Sequence, residues 1–309
     1  MVDQSAAALL SVSGTARDDV WLAGADDGTG PLVLHWDGSA WERRQTSTRA
    51  NLWWVQALAD GSVFLGGSAA TVLHYRDGAF QRENTPGPSS ATVFGVWAAA
   101  EDDVYAVGSV SDQAGFLWHS TGQTWSALAL SPELLPPDGE LPALYKVWGA
   151  STSDVWVVGD RGLVLRGNAR DGFRRLDSGF EDRLFTVNGA GGHVAMVGGL
   201  SNGYALEADG DRLLPITPPG AAPLQGVCVT TTGALWAVGF AGSIYTRDAA
   251  GAGWHDIVTD IPAQSLHGVW VDPGGGVWSV GGNVLTSELD HGLAIHFDPG
   301  WHVAQAALE

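Results

Sequence analysis

Short apolar runs alternate with polar turns along the whole chain, and they recur at a nearly constant spacing. In the clearest copy, Trp156 lies three residues before Gly159 and nine residues after Val147. Equivalents of Trp156 and of Val147 recur in seven copies of this pattern. The equivalents of Trp156, called anchors, lie 43, 41, 51, 39, 41 and 42 residues apart in succession. A period near 42 residues predicts a repeated structural unit. The anchors, each followed three residues later by glycine, are Trp21, Phe64, Tyr105, Trp156, Ala195, Trp236 and Trp278.

Each copy has room for four short strands, because runs rich in Val, Leu and Trp are bounded by Gly, Asp and Ser. In the fourth copy these strands, a to d from the axis outwards, are predicted at 144–148, 155–159, 163–166 and 173–176. Asp-Gly pairs between strands c and d favour tight hairpins. We therefore predict an all-β fold, a seven-bladed β-propeller with four-stranded antiparallel blades.

The repeat spacing places the whole of residues 1–309 in a single propeller domain. A fourth strand opened by Trp301 would end the last blade, so closure is expected to rest on packing between blades and not on a strand exchanged between the termini. The blades are expected at about 5–49, 50–90, 91–142, 143–182, 183–222, 223–264 and 265–309.

Two motifs carry a family resemblance over essentially the whole chain. The segment from Val147 to Leu165 and the Trp-Asp-Gly-Ser-Ala-Trp run that ends at Trp41 resemble bacterial propeller repeats of the photosystem II assembly-factor type. They are also similar to the Asp-box repeats of sialidase-like propellers. The third copy lacks the Asp of the Trp-Asp-Gly run, and the fifth lacks the anchor aromatic. These are scaffold motifs, so the resemblance implies a fold more than a function.

The chain is strongly acidic, with 34 acidic and 15 basic side chains and a net charge of −19. Such a charge disfavours nucleic acid and anionic lipid as partners. Cys228 is the single cysteine, so no internal disulfide forms, and no apolar run is long enough to insert into a membrane. The start of the chain lacks the positive charge of a signal peptide. An extracytoplasmic location, with a leader removed before residue 1, is favoured over a cytoplasmic one.

The start of strand a faces the axial channel in a propeller, at the mouth formed by the d–a and b–c loops, where ligands commonly bind. Three residues are unusual among the aromatic and small residues of these strands: Lys146, which is the only lysine, Gln225 and His267. A desolvated lysine can act as a base, a Schiff-base donor or an anion ligand. For an enzyme, the candidate catalytic residues are Lys146, His267 and Tyr145; the candidate ligand-binding residues on the same strands are Trp53, Trp54 and Gln225.

The b–c loops vary most in length, and unequal loops on a regular scaffold are the usual place for recognition. Their polar residues are expected to converge on the same face. The candidate ligand-binding residues in these loops are Asp27, Asp112, Asp160, Arg161, Asn202 and His291.

No cofactor or metal is predicted. His35, His74 and His296 occupy one column of strand c, but equivalent positions on separate blades lie too far apart for one zinc ion. The inner strands carry neither the arginine cluster of sialidases nor the four axial histidines of carotenoid-cleaving propellers.

Three functions stay open. The first is a non-catalytic recognition propeller that binds a glycan or protein on its loop-rich face. The second is a lyase or hydrolase with a site at the channel mouth that uses His267, Lys146 and nearby acids. The third is an assembly or interaction scaffold. The sequence does not indicate an oligomeric state.

Overall fold

The computed structural model describes residues 2–111, 114–249, 251, 253–257 and 264–298. These residues form seven antiparallel sheets of four strands each, and the innermost strands of successive sheets contact each other in a closed ring. The prediction of an all-β, seven-bladed β-propeller is therefore confirmed.

Six of the seven blades follow the predicted order of strands a to d. Blade 1 contains β2 (Leu9–Ala16), β3 (Asp19–Asp26), β4 (Pro31–Trp36) and β5 (Trp41–Arg43). Blade 2 contains β6 (Leu52–Ala57), β7 (Val63–Gly67), β8 (Thr71–Arg76) and β9 (Ala79–Arg82). Blade 3 contains β10 (Thr92–Ala100), β11 (Asp103–Ser109), β12 (Gly115–Ser120) and β13 (Trp125–Ala127). Blade 4 contains β14 (Leu144–Ser151), β15 (Asp154–Gly159), β16 (Val164–Asn168) and β17 (Gly172–Leu176).

Blades 5 and 6 have the same order, and blade 7 differs in the source of its outermost strand. Blade 5 contains β18 (Leu184–Ala190), β19 (His193–Gly198), β20 (Tyr204–Asp209) and β21 (Arg212–Pro215). Blade 6 contains β22 (Leu224–Val229), β23 (Leu235–Gly239), β24 (Ile244–Arg247) and β25 (Trp254–Asp256). Blade 7 contains β26 (Ser265–Val271), β27 (Val277–Gly282), β28 (Asp290–Phe297) and, as its outermost strand, β1 (Val2–Ala7) from the start of the chain.

The ring closes by strand exchange, and the sequence-based prediction of closure without it was wrong. β1 pairs antiparallel with β28, from Val2 opposite Ile295 to Ala7 opposite Asp290. Residues 5–7 therefore pair with the last blade and not with the first. Trp301, predicted to open this outer strand, lies outside the described residues.

The glycine column of the repeat has a steric cause. In blade 4, a Cβ on Gly159 would collide with the carbonyl oxygen of Ala143, the residue before strand a. The same oxygen accepts a hydrogen bond of 2.8 Å from the backbone of Asp160, which fixes the start of the b–c loop beside the channel mouth. A Cβ at the equivalent glycine of every other blade would meet a carbonyl oxygen at the start of strand a in the same way, which leaves only glycine at this position. These glycines are Gly24, Gly67, Gly108, Gly198, Gly239 and Gly281.

Tryptophans at the far end of strand a join neighbouring blades. The indole of Trp97 covers Gly149 of the next blade, and Trp148 covers Gly189 in the same way. Trp270 of blade 7 covers Gly14 of blade 1, so this contact also spans the point of ring closure. A large aromatic side chain that packs on a bare backbone excludes water between the blades.

Helical structure is confined to two single turns in the part of the chain that the structure describes, Pro132–Leu134 and Phe240–Gly242. Neither has the length or the apolar character of a membrane-spanning helix, and the described residues contain no other helix.

Candidate functional site

Every inner strand contains a β-bulge at one repeat position. In blade 4, Leu144 pairs with Gly159 and Lys146 pairs with Val158, so Tyr145 is the extra residue. A bulge turns a side chain out of the regular alternation of a strand, and bulges are common beside binding sites. The extra residues form the column in which the sequence places the channel mouth: Leu10, Trp53, Phe94, Tyr145, Phe185, Gln225 and His267.

The bulged side chains form a continuous aromatic wall. Ring centroids lie 5.7 Å apart between His267 and Trp53, 5.7 Å between Trp53 and Phe94, and 5.7 Å between Phe94 and Tyr145. The Tyr145 and Phe185 centroids lie 5.3 Å apart. All four pairs are tilted or edge-on, which is an arrangement that aromatic quadrupoles favour. The wall therefore presents flat, apolar ring surface to the mouth from five of the seven blades.

A pocket of about 270 Å³ opens inside this wall. The b–c loops supply its rim, where Leu200 is 48% exposed and Leu285 is 62% exposed. Exposed leucines beside an aromatic pocket form an apolar patch of the kind that marks a recognition site. The pocket is lined by Trp53, Phe94, Tyr145, Lys146, Arg183, Phe185, Thr186, Leu200, Gln225, Phe240, His267, Val284 and Leu285.

Lys146 forms part of the pocket floor and is 4% exposed. Its Nζ donates a 3.1 Å hydrogen bond to the carbonyl oxygen of Phe94 and lies 3.6 Å from the centroid of the Trp54 ring. Burial lowers the pKa of Lys146 from its ordinary value of 10.5 to about 7. The amine is therefore divided between its charged and neutral forms at neutral pH.

His267 has a defined tautomer. Its Nδ1 lies 2.5 Å from the carbonyl oxygen of Leu10, and a carbonyl can only accept, so Nδ1 carries the proton. Burial, together with the nearby charge of Lys146, lowers the pKa of His267 to about 4. At neutral pH the ring is uncharged, and Nε2 has a lone pair that can accept a hydrogen bond or a proton.

Arg183 and Gln225 bring further donors to the pocket. The Nε of Arg183 lies 3.5 Å from Asp160, and its guanidinium carbon lies 5.9 Å from the Tyr145 ring centroid. Gln225 is 7% exposed. The Thr186 hydroxyl is already committed, because it donates a 2.6 Å hydrogen bond to the carbonyl oxygen of Gln225.

The structure brings together only part of the predicted site. Trp53, Tyr145, Lys146, Gln225 and His267 line the pocket, and Trp54 lies below it against Lys146. Sequence reasoning missed Phe94 and Phe185, although both stand in the same column as Tyr145. It also missed the loop residues Arg183, Leu200, Phe240 and Leu285, whose positions follow no repeat column.

The predicted loop residues do not line this pocket. Asp27 is held by Arg43 at 2.6 Å, and this contact lowers the pKa of Asp27 below its ordinary range. Arg161 pairs with Asp138. The exposed ring of His291 lies 3.6 Å from Asp290.

The other three predicted loop residues do not line the pocket either, or lie outside the described residues. Asp160 reaches the pocket only through Arg183, and Asn202 is exposed in its loop. Asp112 lies outside the described residues. None of the described residues that line the pocket is acidic, so the acids that an enzyme was expected to use beside His267 and Lys146 are not there.

The acids of the a–b turns have a structural role on the opposite face. Asp60 accepts hydrogen bonds from the backbone N–H and the hydroxyl of Ser62 within its own turn. Others reach strand c instead, where they bond a basic side chain that lies over the anchor aromatic. These pairs are Asp19 with His35 at 2.8 Å, Asp103 with His119 at 2.7 Å, and Asp154 with Arg166 at 2.6 Å. Among the described residues, no three His, Cys, Asp or Glu side chains are grouped so that they could hold a metal ion.

Comparisons with known proteins support the fold and leave the function open. No family model matches this sequence, and no curated protein matches it. Among solved structures, virginiamycin B lyase from Staphylococcus aureus is similar with a TM-score of 0.74 and 13% identity, over 95% of this chain and 98% of that one. YCF48 bound to D1 peptide has a TM-score of 0.69 and 15% identity, over 96% and 94%. The WD40 propeller domain of Doa1 has a TM-score of 0.71 and 11% identity, over 96% and 95%.

Proposed function

We propose that this protein is a non-catalytic recognition propeller that binds a segment of a protein ligand at the axial mouth. The observation that carries the proposal is the aromatic pocket with an exposed leucine rim at Leu200 and Leu285. Apolar side chains of a peptide would bury surface against these rings, at about 25 cal/mol per Å². The likeness to YCF48, which was solved with a D1 peptide, is consistent with a peptide ligand.

A glycan is a poorer candidate for the same pocket. Sugar hydroxyls need several fixed hydrogen-bond partners, and sites built for them leave few polar groups unmatched. Here seven of the thirteen described lining residues are apolar, and the hydroxyl of Thr186, which is one of the neutral polar ones with Tyr145, Gln225 and His267, already donates to a backbone carbonyl. A peptide side chain makes no such demand.

Substitution of the rim tests the proposal. We expect peptides selected from a random display library on the wild-type protein to bind in the micromolar range. Leu200→Asp combined with Leu285→Asp should weaken them by about tenfold or more, because buried carboxylates would face the apolar ligand. Isothermal titration calorimetry measures the change, and a glycan array is run in parallel.

Val110→Asp is the matched control, because Val110 is a similarly exposed apolar residue, at 37%, that does not line the pocket. Its effect on peptide affinity should stay within about twofold. Selected peptides that bind the rim variant as well as the wild type, or glycan binding that the rim variant loses, would contradict the proposal.

A second candidate function rests on His267 and Lys146. A histidine held in one tautomer with a free Nε2, close to a lysine whose pKa is about 7, could transfer protons in a lyase or hydrolase. The likeness to virginiamycin B lyase, for which a histidine-to-alanine variant is described as catalytically inactive, favours testing it.

Quinupristin, the molecule present with that inactive lyase, is the probe. If the protein only binds its ligand, it should leave quinupristin unchanged, and chromatography measures whether any is converted. Conversion that disappears in the His267→Gln and Lys146→Met variants would favour the enzyme instead.

A further inference from the structure

The pocket at the mouth has the opposite charge character to the rest of the protein. The chain carries 34 acidic and 15 basic side chains, yet none of the described lining residues is acidic, whereas Arg183 and Lys146 are basic. An anion would be repelled by most of the surface and attracted to this concave place, where low-dielectric walls focus the field. The positive charge of the pocket should therefore favour anionic ligands among those that have an apolar group to contact the rim.

Arg183 has the geometry to hold a carboxylate. Its Nε lies 3.5 Å from Asp160, which is not a lining residue, and neither terminal nitrogen has a hydrogen-bond partner among the described residues. A guanidinium presents two parallel N–H groups that match the two oxygens of a carboxylate. The side chain is 35% exposed, so an incoming ligand can reach these nitrogens.

Two further lining residues have unused donors. Gln225 is 7% exposed, and no hydrogen-bond partner of its side-chain amide lies in the described part of the chain. Lys146 donates one hydrogen bond, to Phe94, although an ammonium group has three donors. Buried polar groups are normally paired in native proteins, so open donors around one pocket point to a ligand with acceptor oxygens.

We infer that the mouth recognises a carboxylate joined to an apolar group, with Arg183 binding the carboxylate, Gln225 and Lys146 donating beside it, and the aromatic wall holding the apolar part. Such a ligand is either the C-terminal residue of a peptide or a free aromatic or aliphatic acid. This inference rests on the proposed function, whose peptide segment then becomes a chain end. The neutral His267 faces the same pocket and would accept a hydrogen bond from the amide N–H of such a terminal residue.

Matched pairs of an acid and its amide test the inference. The probes are N-acetyl-phenylalanine and its amide, and one library-selected peptide with either a free or an amidated C-terminus. We expect each acid to bind about tenfold or more tightly than its amide in calorimetry at low salt. A preference shown by the peptide alone identifies a chain end as the ligand, whereas a preference shown equally by the small acid identifies a free acid.

Substitution of Arg183 assigns the preference to this residue. Arg183→Met should remove the preference for the acid and leave the affinity for the amide within about threefold, because only the charge-assisted contact is lost. Arg183→Lys keeps the charge without the planar fork and should leave a smaller preference. Arg49→Met is the control, because Arg49 is exposed, pairs with Asp26 and does not line the pocket.

The possible failures are distinguishable. Equal affinity for acid and amide would overturn the inference while the proposed function stands, provided that binding still depends on Leu200 and Leu285. A preference for the acid that survives Arg183→Met would likewise overturn it. Absence of any peptide whose binding depends on the rim would remove the proposed function itself.

Discussion

A variant that lacks residues 1–7 is expected to lose about 4 kcal/mol or more of its free energy of unfolding. The deleted strand supplies the outer edge of blade 7, with five residue pairs in register along β28. Each backbone hydrogen bond contributes about 1 kcal/mol net, and the loss also uncovers the edge beside Leu293 and Ile295, which are 0% and 4% exposed. Chemical denaturation followed by tryptophan fluorescence measures the difference.

Rescue by the missing strand serves as the control. A synthetic peptide with the sequence of residues 1–7 should restore part of the stability when it is added to the truncated protein. A peptide with proline in place of Gln4, which pairs with Leu293, should not, because proline has no N–H and disrupts strand pairing. An unfolding midpoint that does not move on truncation would show that blade packing alone closes the ring.

The number of blades could be predicted because two columns of the repeat have a strict physical cause. The glycine column is set by the carbonyl oxygen that lies against it, as at Gly159 and Ala143, and no other residue fits. The valine column is exemplified by Val147, which is 1% exposed and packs in one apolar cluster with Trp97 and Leu117 of the neighbouring blade. Positions that accept only one residue type recur in every repeat, so the number of repeats can be counted in the sequence.

The way in which the ring closes could not be predicted, because the outer strands have no distinctive sequence pattern. The strand d elements of blades 1 to 6 are three to five residues long and are largely exposed, as in Trp41–Arg43. An exposed edge tolerates many residue types, so β1 has no distinctive column by which to recognise it. Its partner is decided by which end of the chain reaches blade 7, a property of the ring and not of local sequence.

The site was predicted where it follows the repeat and missed where it does not. Tyr145 and His267 occupy one repeat position of strand a, which the bulge turns towards the mouth, and Lys146 occupies the next position. Loop residues depend on local turns instead: Asp27 bonds Thr29 and Arg43, which turns it away from the axis. Arg183 and Leu285 reach the pocket from loops of unequal length, whose course is not encoded in any period.

Lys146→Met is expected to stabilise the protein at pH 7 by about 2 kcal/mol. Burial lowers the pKa of Lys146 from 10.5 to about 7, so the unfolded chain binds more protons than the folded one between these values. The free energy of unfolding therefore rises with pH between these values. The full destabilisation caused by burying the lysine is present below pH 7. A shift of about 3.5 units corresponds to about 5 kcal/mol, and methionine forfeits part of that gain because it leaves the Phe94 carbonyl unpaired.

The pH dependence distinguishes this cause from better packing. The gain should be largest at or below pH 7 and should shrink towards pH 10, where the lysine of the wild type is already neutral in the folded state. Urea denaturation at both pH values measures it, and Arg170→Met, at a residue whose side chain is 93% exposed, is the control for loss of one positive charge. A gain that is independent of pH would mean that packing and not desolvation is responsible. A Lys146→Met variant that is more stable, and that also loses its preference for acids over amides, would identify the lysine as a group kept for binding at the expense of stability.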